Sequence, residues 1–572
     1  MKKFVSFLLA LSLFLGGVAA VDNIYSADAA AGSSTAVDPA SVSYPATYTP
    51  EEYVVRAGLF YGSSALISAN LQNFDGSGYM FGWYDSNGTF TAVGYTTQTQ
   101  ITTFSDRNMY VAGGTYYDSM APSGATSIGA YHVQSGNTYG SFQEALSAAN
   151  TISGAFPAYV NGQWKVRIGS YRSTDAAQQA SASVPGSSVV GFSSTCYTVS
   201  ATNSGTILFE FDNSGDRFGI RPIGSADPVT WHKGYKWSGG FEYRRNASYT
   251  LNVINVVEIG DYTKGVIPYE IGTAWGEEGT KVGAVCASSY VVFNKNRHST
   301  YGFDVCNTDH CQVYQGQNRA TAQSNAYCES VAGLAVFYDG KICNTVYHST
   351  NGGYTEDAVN VWGTDYPYLK AVPDTYEDLD RAHYGRWSYT YTGAEIAWIL
   401  NQKNYSIGTV TNAWVEEYTP AGNVYKVSFQ DASGKKQSFT MENARTILSS
   451  STLGKATHSQ RYNISTGTVN IAAGESGTIL SASTAQAIGG NGKSGNLRNP
   501  GEVYIITASG KDVLRSTTSN GVFVVSGTGW GHNVGLSQWG SRGRAEAGWD
   551  YKSILEYYYT GAKVLEIQEV LG

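Results

Sequence analysis

Hydrophobic and polar positions alternate in short runs over much of the chain, and this alternation predicts a β-rich fold. From Tyr53 to Phe60 and from Tyr79 to Val93, β-prone residues are broken by Gly, Asn and Asp, and Ser86-Asn87-Gly88 reads as a hairpin turn between Trp83 and Phe90. Strand-like runs resume at Gly205–Phe211 and Tyr249–Val257. Helical spacing takes over from Gly276 to about Lys295, where Val282, Val285, Ser289 and Val292 share a face. The small residues Gly283, Ala284, Ala287 and Ser288 on that helix predict close packing against a neighbour. Asp339-Gly340 is a two-residue hairpin signal between Ala335–Tyr338 and Ile342–Tyr347. Residues 380–450 mix a short helix near Ala394–Leu400 with strands, and the polar, Gly/Ser-rich stretch Thr457–Gly521 reads as strands and loops.

Between Gly129 and Ala182 the texture changes. Two β-prone runs, Ala130–Gly136 and Gln163–Tyr171, each lead into an Ala-rich stretch, Ser141–Ala149 and Thr174–Ala182, giving a small internal β-α repeat. Its wording resembles the SPOR domain, which implies a module that binds glycan strands stripped of stem peptides.

The N-terminus reads Met1-Lys2-Lys3, an apolar run from Phe4 to about Val18, and small residues at Ala19 and Ala20, the layout of a secretory signal peptide over 1–20. The run is shorter than the roughly 20 residues a membrane span needs. A flexible leader is expected over 21–50, rich in Ala, Ser and Pro. Charged residues make up only 14% of the chain, and the net charge of −8 argues against a nucleic-acid partner, which would demand a basic face. Together these features point to an exported, secreted or wall-associated protein with no stable membrane span after cleavage.

The segment from Asn255 to Glu270 ends in Gly265-Val266-Ile267-Pro268-Tyr269-Glu270, which puts a carboxylate after a Pro-Tyr turn and six residues before the next helix. Shielding by Ile267, Ile271 and Trp275 would favour its protonated form, able to donate to the leaving oxygen of a glycosidic bond. On these residues alone a catalytic acid, a helix-dipole partner and a solvated charge all stay open.

The whole run resembles the SpoIID/LytB family motif, in which a GVxPxE turn precedes a helix of small residues. Two further blocks follow in family order. One is Tyr347-His348-Ser349-Thr350-Asn351-Gly352-Gly353-Tyr354-Thr355, and the other runs from Gly527 through Trp530-Gly531-His532-Asn533 to Gln538-Trp539-Gly540. Tyr269 and Ile271 depart from the family's more usual small residue and Met, and Asn533 from its Gly; these bear on subsite shape. The resemblance implies that Glu270 is the acid/base of a lytic transglycosylase cutting peptidoglycan between N-acetylmuramic acid and N-acetylglucosamine. Tyr347, Ser349, Thr350, Asn351, Gly352 and Gly353 would hold sugar groups, joined by His532, Gln538 and Trp539; a tight turn and ordinary packing are the plain alternatives. Glu258, Asp261, Glu277 and Glu278 lie near enough in sequence to keep hydrolysis open.

Four of the six cysteines fall between Cys306 and Cys343, and His298, Cys306, His310 and Cys311 place two imidazoles and two thiols within fourteen residues. Tetrahedral zinc, a Cys306–Cys311 disulfide and free buried thiols all fit these residue types. The family resemblance favours zinc, with a closed, structural shell.

The expected architecture is therefore α+β: a β-rich, multi-domain SpoIID-type core with its N-terminal β part at 51–128, an inserted SPOR-like module at 129–185 and the remainder at 186–572. The expected partners are peptidoglycan glycan strands and, through the family, a cell-wall amidase. The rival readings are a non-catalytic, glycan-binding amidase enhancer and a secreted glycoside hydrolase.

Overall fold

The computed structural model describes residues 46–465 except 75, 215–216, 225–227 and 273, short strands between 471 and 513, and residues 521–571. The signal-peptide expectation and nearly all of the leader lie outside these residues. Among the described residues no helix is long and apolar enough to cross a membrane. The chain divides into two compact units. One holds Phe337–Asp339 and Thr345–Val564; the other holds 46–336, Gly340–Asn344 and 565–571. The expected 186–572 segment is thus shared between them.

The unit containing Glu270 is built on two large sheets, of eight and ten strands among the described residues. In the first, Leu251–Glu258 lies between Val54–Phe60 and Gly240–Arg245, antiparallel to both. A central strand is covered on both faces, which explains why Leu251 to Val257 are buried without a break. The two asparagines in this run need internal partners. Asn255 has them: its amide donates to the Ser238 and Gly240 carbonyls at 3.0 and 2.9 Å, and its oxygen accepts from Tyr314 at 2.6 Å. The Ser86–Gly88 turn forms as expected between Gly78–Tyr84 and Phe90–Thr96, with Asp85 accepting from the Asn87 and Thr89 N–H groups at 2.8 and 2.9 Å.

The β-α repeat is a β-α-β-β-α-β unit. Strands Tyr131–Gln134, Ala155–Val160, Gln163–Tyr171 and Ser188–Gly191 alternate with helices Phe142–Ala149 and Thr174–Ser181. The two helices pack on one face of a sheet ordered fourth, first, third, second strand, over Val133, Val166 and Ile168. Its Ala155–Val160 strand then pairs in parallel with Ile207–Asp212, so the module's sheet continues into the ten-stranded one.

In the other unit, a three-stranded sheet of Arg386–Thr392, Val522–Thr528 and Tyr462–Ser465 and a meander of Val410–Tyr418, Val424–Asp431 and Lys436–Thr440 share one core with helix Gly393–Gln402. Tyr391, Ile396, Leu400, Val427, Phe429 and Phe523 lie at its centre. The described part of Thr457–Gly521 is a loop at 457–461 followed by short paired strands, such as Tyr504–Thr507 with Gly510–Val513.

Candidate functional site

Glu270 closes a helix, Ile259–Glu270, and does not follow a turn as the sequence suggested. Pro268 had marked a break because it lacks an N–H and costs the helix one bond to the carbonyl four residues back. Eight of the twelve helix residues, Pro268 among them, are buried, and tertiary packing of this kind outweighs one missing hydrogen bond. Gly265 admits the Tyr314 ring, which a Cβ there would meet at 2.3 Å. The following helix, Gly276–Phe293, starts where its spacing predicts, and Gly283 lets it close on the first: a Cβ would meet Ile271 at 2.7 Å and Ile267 at 2.9 Å.

The Glu270 carboxylate is half-buried and accepts the backbone N–H of Val313 at 2.7 Å through Oε1. Next to Val313, Gln312 accepts from Tyr262 on the Glu270 helix at 2.9 Å, and Tyr314 reaches Asn255 on the central strand. The segment 312–314 is thus laced to both the helix and the strand. The remaining carboxylates of this helix stand at its other end. At 1.5 Å rise per residue, Glu258 is about 18 Å and Asp261 about 14 Å from Glu270 along the axis. Both are engaged: Glu258 accepts from Tyr48 at 2.5 Å and Asp261 pairs with Lys264 at 2.9 Å. Glu277 and Glu278 open the next helix and face Lys281.

Two residues before Val313 the metal-candidate group comes together. His298, Cys306, His310 and Cys311 offer atoms that all lie within 4.8 Å of one another. Cys306 sits on a two-residue strand parallel to Val54–Phe60, and both Cys306 and Cys311 are free thiols, with no disulfide between them. His298 Nε2 is 3.4 Å from Cys311 Sγ, and His310 Nδ1 is 3.6 and 3.5 Å from the two sulfurs. A tetrahedral ion with metal–N of about 2.0–2.1 Å and metal–S of about 2.3 Å would separate such donors by about 3.5–3.8 Å, so the set fits a closed metal shell. The hydrogen bond with Cys311 pushes the Cys306 thiol down to about 3 and the Cys311 thiol up.

The other unit gathers the remaining predicted residues. Tyr347-His348 pairs in parallel with Leu536-Ser537, and Thr350 bridges to Trp530, which places the two sequence blocks side by side. His348, Thr350, Asn351 and Asn533 are buried, and Ser349, Gly352, Gly353, His532, Gln538 and Trp539 are partly open. Several of the loop's donors are met within the unit. Glu377 accepts the Asn351 and Gly352 N–H groups at 2.7 and 2.8 Å, and Asp374 accepts the Asn351 amide at 2.9 Å. Arg544 and Tyr558, both buried, hold Asp374 from behind at 2.6 Å each. Burial, reinforced by Asp374, pushes the Glu377 carboxyl up to about 7. The His532 ring lies tilted to Trp362 at 5.0 Å and edge-on to His348 at 5.4 Å, and burial pushes its pKa well below the usual imidazole range. None of Asp374, Glu377 and Arg544 stood out in the sequence, where nothing ties them to residues 351–352.

The family model described as "SpoIID: Stage II sporulation protein" matches residues 247–338, the stretch from the central strand through both helices and the Cys/His loop. The chain is similar to the "Amidase enhancer" of Bacillus subtilis (strain 168), 28% identical over 322 residues, covering 52% of this chain. It spans only 39% of that protein's length. It is also similar to "Stage II sporulation protein D" of the same organism, 22% identical over 332 residues, covering 55% of this chain and 77% of that one.

Proposed function

We propose that this chain, a member of the SpoIID family, works at the cell wall as a lytic transglycosylase that cuts peptidoglycan glycan strands with Glu270 as its single acid/base. The observation that carries this reading is the isolation of Glu270 from the other carboxylates of its helix, about 14–18 Å away, combined with its fixed orientation on the Val313 N–H. Hydrolysis with a carboxylate pair needs a second group about 5–9.5 Å off. Transglycosylation needs one. Protonated Glu270 would give its proton to the glycosidic oxygen as the bond to C1 of N-acetylmuramic acid breaks. The C6 hydroxyl oxygen of the same sugar would bond to C1 and return its proton to Glu270, closing a 1,6-anhydro ring with no water consumed.

Zinc at His298, Cys306, His310 and Cys311 would serve as a structural staple for the loop that carries Val313; four protein ligands leave no place for a metal-bound hydroxide. The partly open Ser349, Gly352, Gly353, His532, Gln538 and Trp539, with Tyr347, would supply sugar contacts, while Thr350 and Asn351 shape that loop from inside. The SPOR-like module would add affinity for denuded strands. Its sheet face with His132, Phe156 and Arg167 is buried, so sugar contact would fall to partly exposed aromatics such as Tyr131 and Trp164 and to the exposed Phe192 just beyond the module, its ring 5.2 Å from that of Tyr131.

The test is incubation of the protein and its Glu270→Gln variant with amidase-treated peptidoglycan, followed by mass spectrometry of the soluble products. Anhydro-muramic ends that vanish in the variant support the proposal; reducing ends mean a hydrolase. Equal digestion of intact and denuded wall would sink the preference for denuded strands. The resemblance to an amidase enhancer favours a second reading, a non-catalytic stimulator of a cell-wall amidase. It predicts no release by this protein alone and full stimulation of an amidase by Glu270→Gln.

A further inference from the structure

Asp106, His132 and Glu210 form a second cluster, far in sequence from Cys306 and Cys311. One atom from each lies within 4.8 Å of the others, and all three residues are buried, at 1%, 0% and 0% exposure. Each is oriented from its far side. His132 Nδ1 lies 2.7 Å from the Gly169 carbonyl, which only accepts, so the neutral ring carries its proton on Nδ1 and presents a lone pair at Nε2. Nε2 sits 3.0 Å from Glu210 Oε1 without forming a hydrogen bond to it. The two face each other across a dry gap at ion-pair distance, and the carboxylate favours a cation there, a proton on the ring or a metal ion in its place. Asp106 Oδ2 accepts from the Ser193 N–H at 2.7 Å, while Oδ1 is buried and makes no hydrogen bond. Glu210 is held by Arg167 at 2.7 Å and Thr198 at 3.1 Å, and Arg167 also takes Asp212 at 2.8 Å. Asp106, Glu210 and Asp212 are three carboxylates against the Arg167 guanidinium and the His132 imidazole, so a divalent ion bound at the neutral ring would be balanced.

We propose that Asp106 Oδ1, His132 Nε2 and Glu210 Oε1 bind one divalent first-row transition ion, Mn²⁺ or Zn²⁺. One imidazole and two carboxylates suit such an ion, and the partners behind each ligand are the kind that orient metal-bound imidazoles and carboxylates. Asp106 follows the Gln100–Ser105 strand, Glu210 lies on Ile207–Asp212 and His132 lies on the first strand of the inserted module, so the ion would staple module to core. A site with no solvent-exposed ligand is structural.

The test measures metal content by elemental mass spectrometry in the full-length wild type and in Asp106→Asn and His132→Gln, each dialysed against ZnCl₂. Each variant should hold one equivalent fewer than the wild type while keeping its circular-dichroism spectrum. Mn²⁺ titration of the wild type, followed by electron paramagnetic resonance, should show one tightly held ion, because Mn²⁺ prefers these oxygen and nitrogen donors to thiolates. Should the variants fail to fold, this titration decides alone. Unchanged metal content in both folded variants, or no Mn²⁺ bound by the wild type, overturns the site.

Discussion

Val313 donates its backbone N–H to Oε1 of Glu270 at 2.7 Å, from a position two residues beyond Cys311. The proposed acid/base and the proposed zinc group are thus joined by a single short peptide segment. A hydrogen bond to a charged group is worth about 1.5–3 kcal/mol, which corresponds to about 10–100-fold in rate if it is lost in the transition state. Val313→Pro, which deletes the donor, should slow release of anhydro-glycan fragments by that factor. Val313→Ala keeps the N–H and should stay within about 2–3-fold. Equal rates in the two variants would dissociate this contact from catalysis.

Metal removal should act through the same segment. Chelation by a strong zinc ligand should make Cys306 and Cys311 titratable by a thiol reagent, and their modification should be prevented by re-addition of Zn²⁺. Activity should fall with exposure of the thiols, since the loop that carries Val313 is released. Thiols that react at full rate before chelation would argue against a bound ion there.

Helix packing offers a sharper steric test. At Gly283 an added methyl meets the flexible Cδ1 ends of Ile271 and Ile267, which must shift, and gains about 1 kcal/mol of helix propensity, so Gly283→Ala should be close to neutral. Gly283→Val adds bulk the neighbouring helix cannot yield to and should cost about 1–3 kcal/mol. Thermal unfolding should record this as a fall of several degrees for Val and little change for Ala.

His232 sets an acid limit on stability. It is buried with Nδ1 against the Asn70 carbonyl at 2.9 Å, and burial, aided by Lys233, pushes its pKa down to about 4. The unfolded chain takes up this proton near pH 6.5 and the folded one only near pH 4. Its contribution is therefore fully present above pH 6.5 and is lost as pH falls towards 4, by about 3 kcal/mol in all. Unfolding of His232→Gln compared with wild type between pH 7 and 4.5 should show a shallower pH slope in the variant.

Glu377 should matter to the loop it braces. Glu377→Ala strands the Asn351 and Gly352 N–H groups and should destabilise its unit by about 2–6 kcal/mol, at about 1–3 kcal/mol per unsatisfied donor, read by thermal unfolding. A shift within error would mean that water replaces the carboxylate.

What the sequence made legible were features with a local signature. Ser86-Asn87-Gly88 announces its turn through residues that cap their own backbone, and Val282, Val285, Ser289 and Val292 announce the helix by spacing. Asp339 and Gly340 both take positive φ, +49° and +68°, as their dipeptide signal requires. The failures are of another kind. Pro268 reads as a breaker because the burial that outweighs it comes from distant residues. For the Tyr347–Thr355 block the sequence leaves sugar-holding equipment and a tight turn both open, and it does not reveal that Asn351 is met by a carboxylate 23 residues away that is itself held by an arginine 170 residues further on. No window along the chain contains that relation. The Asp106, His132 and Glu210 cluster went unseen for the same reason.

The parallel pairing of Ala158–Val160 with Glu210–Asp212 has a mechanical consequence. A module hung on a linker would swing when pulled. Here a tug on the inserted module runs along two strands whose backbone bonds are loaded in shear, all at once, so the module grips the core as a rigid lever and not as a tether.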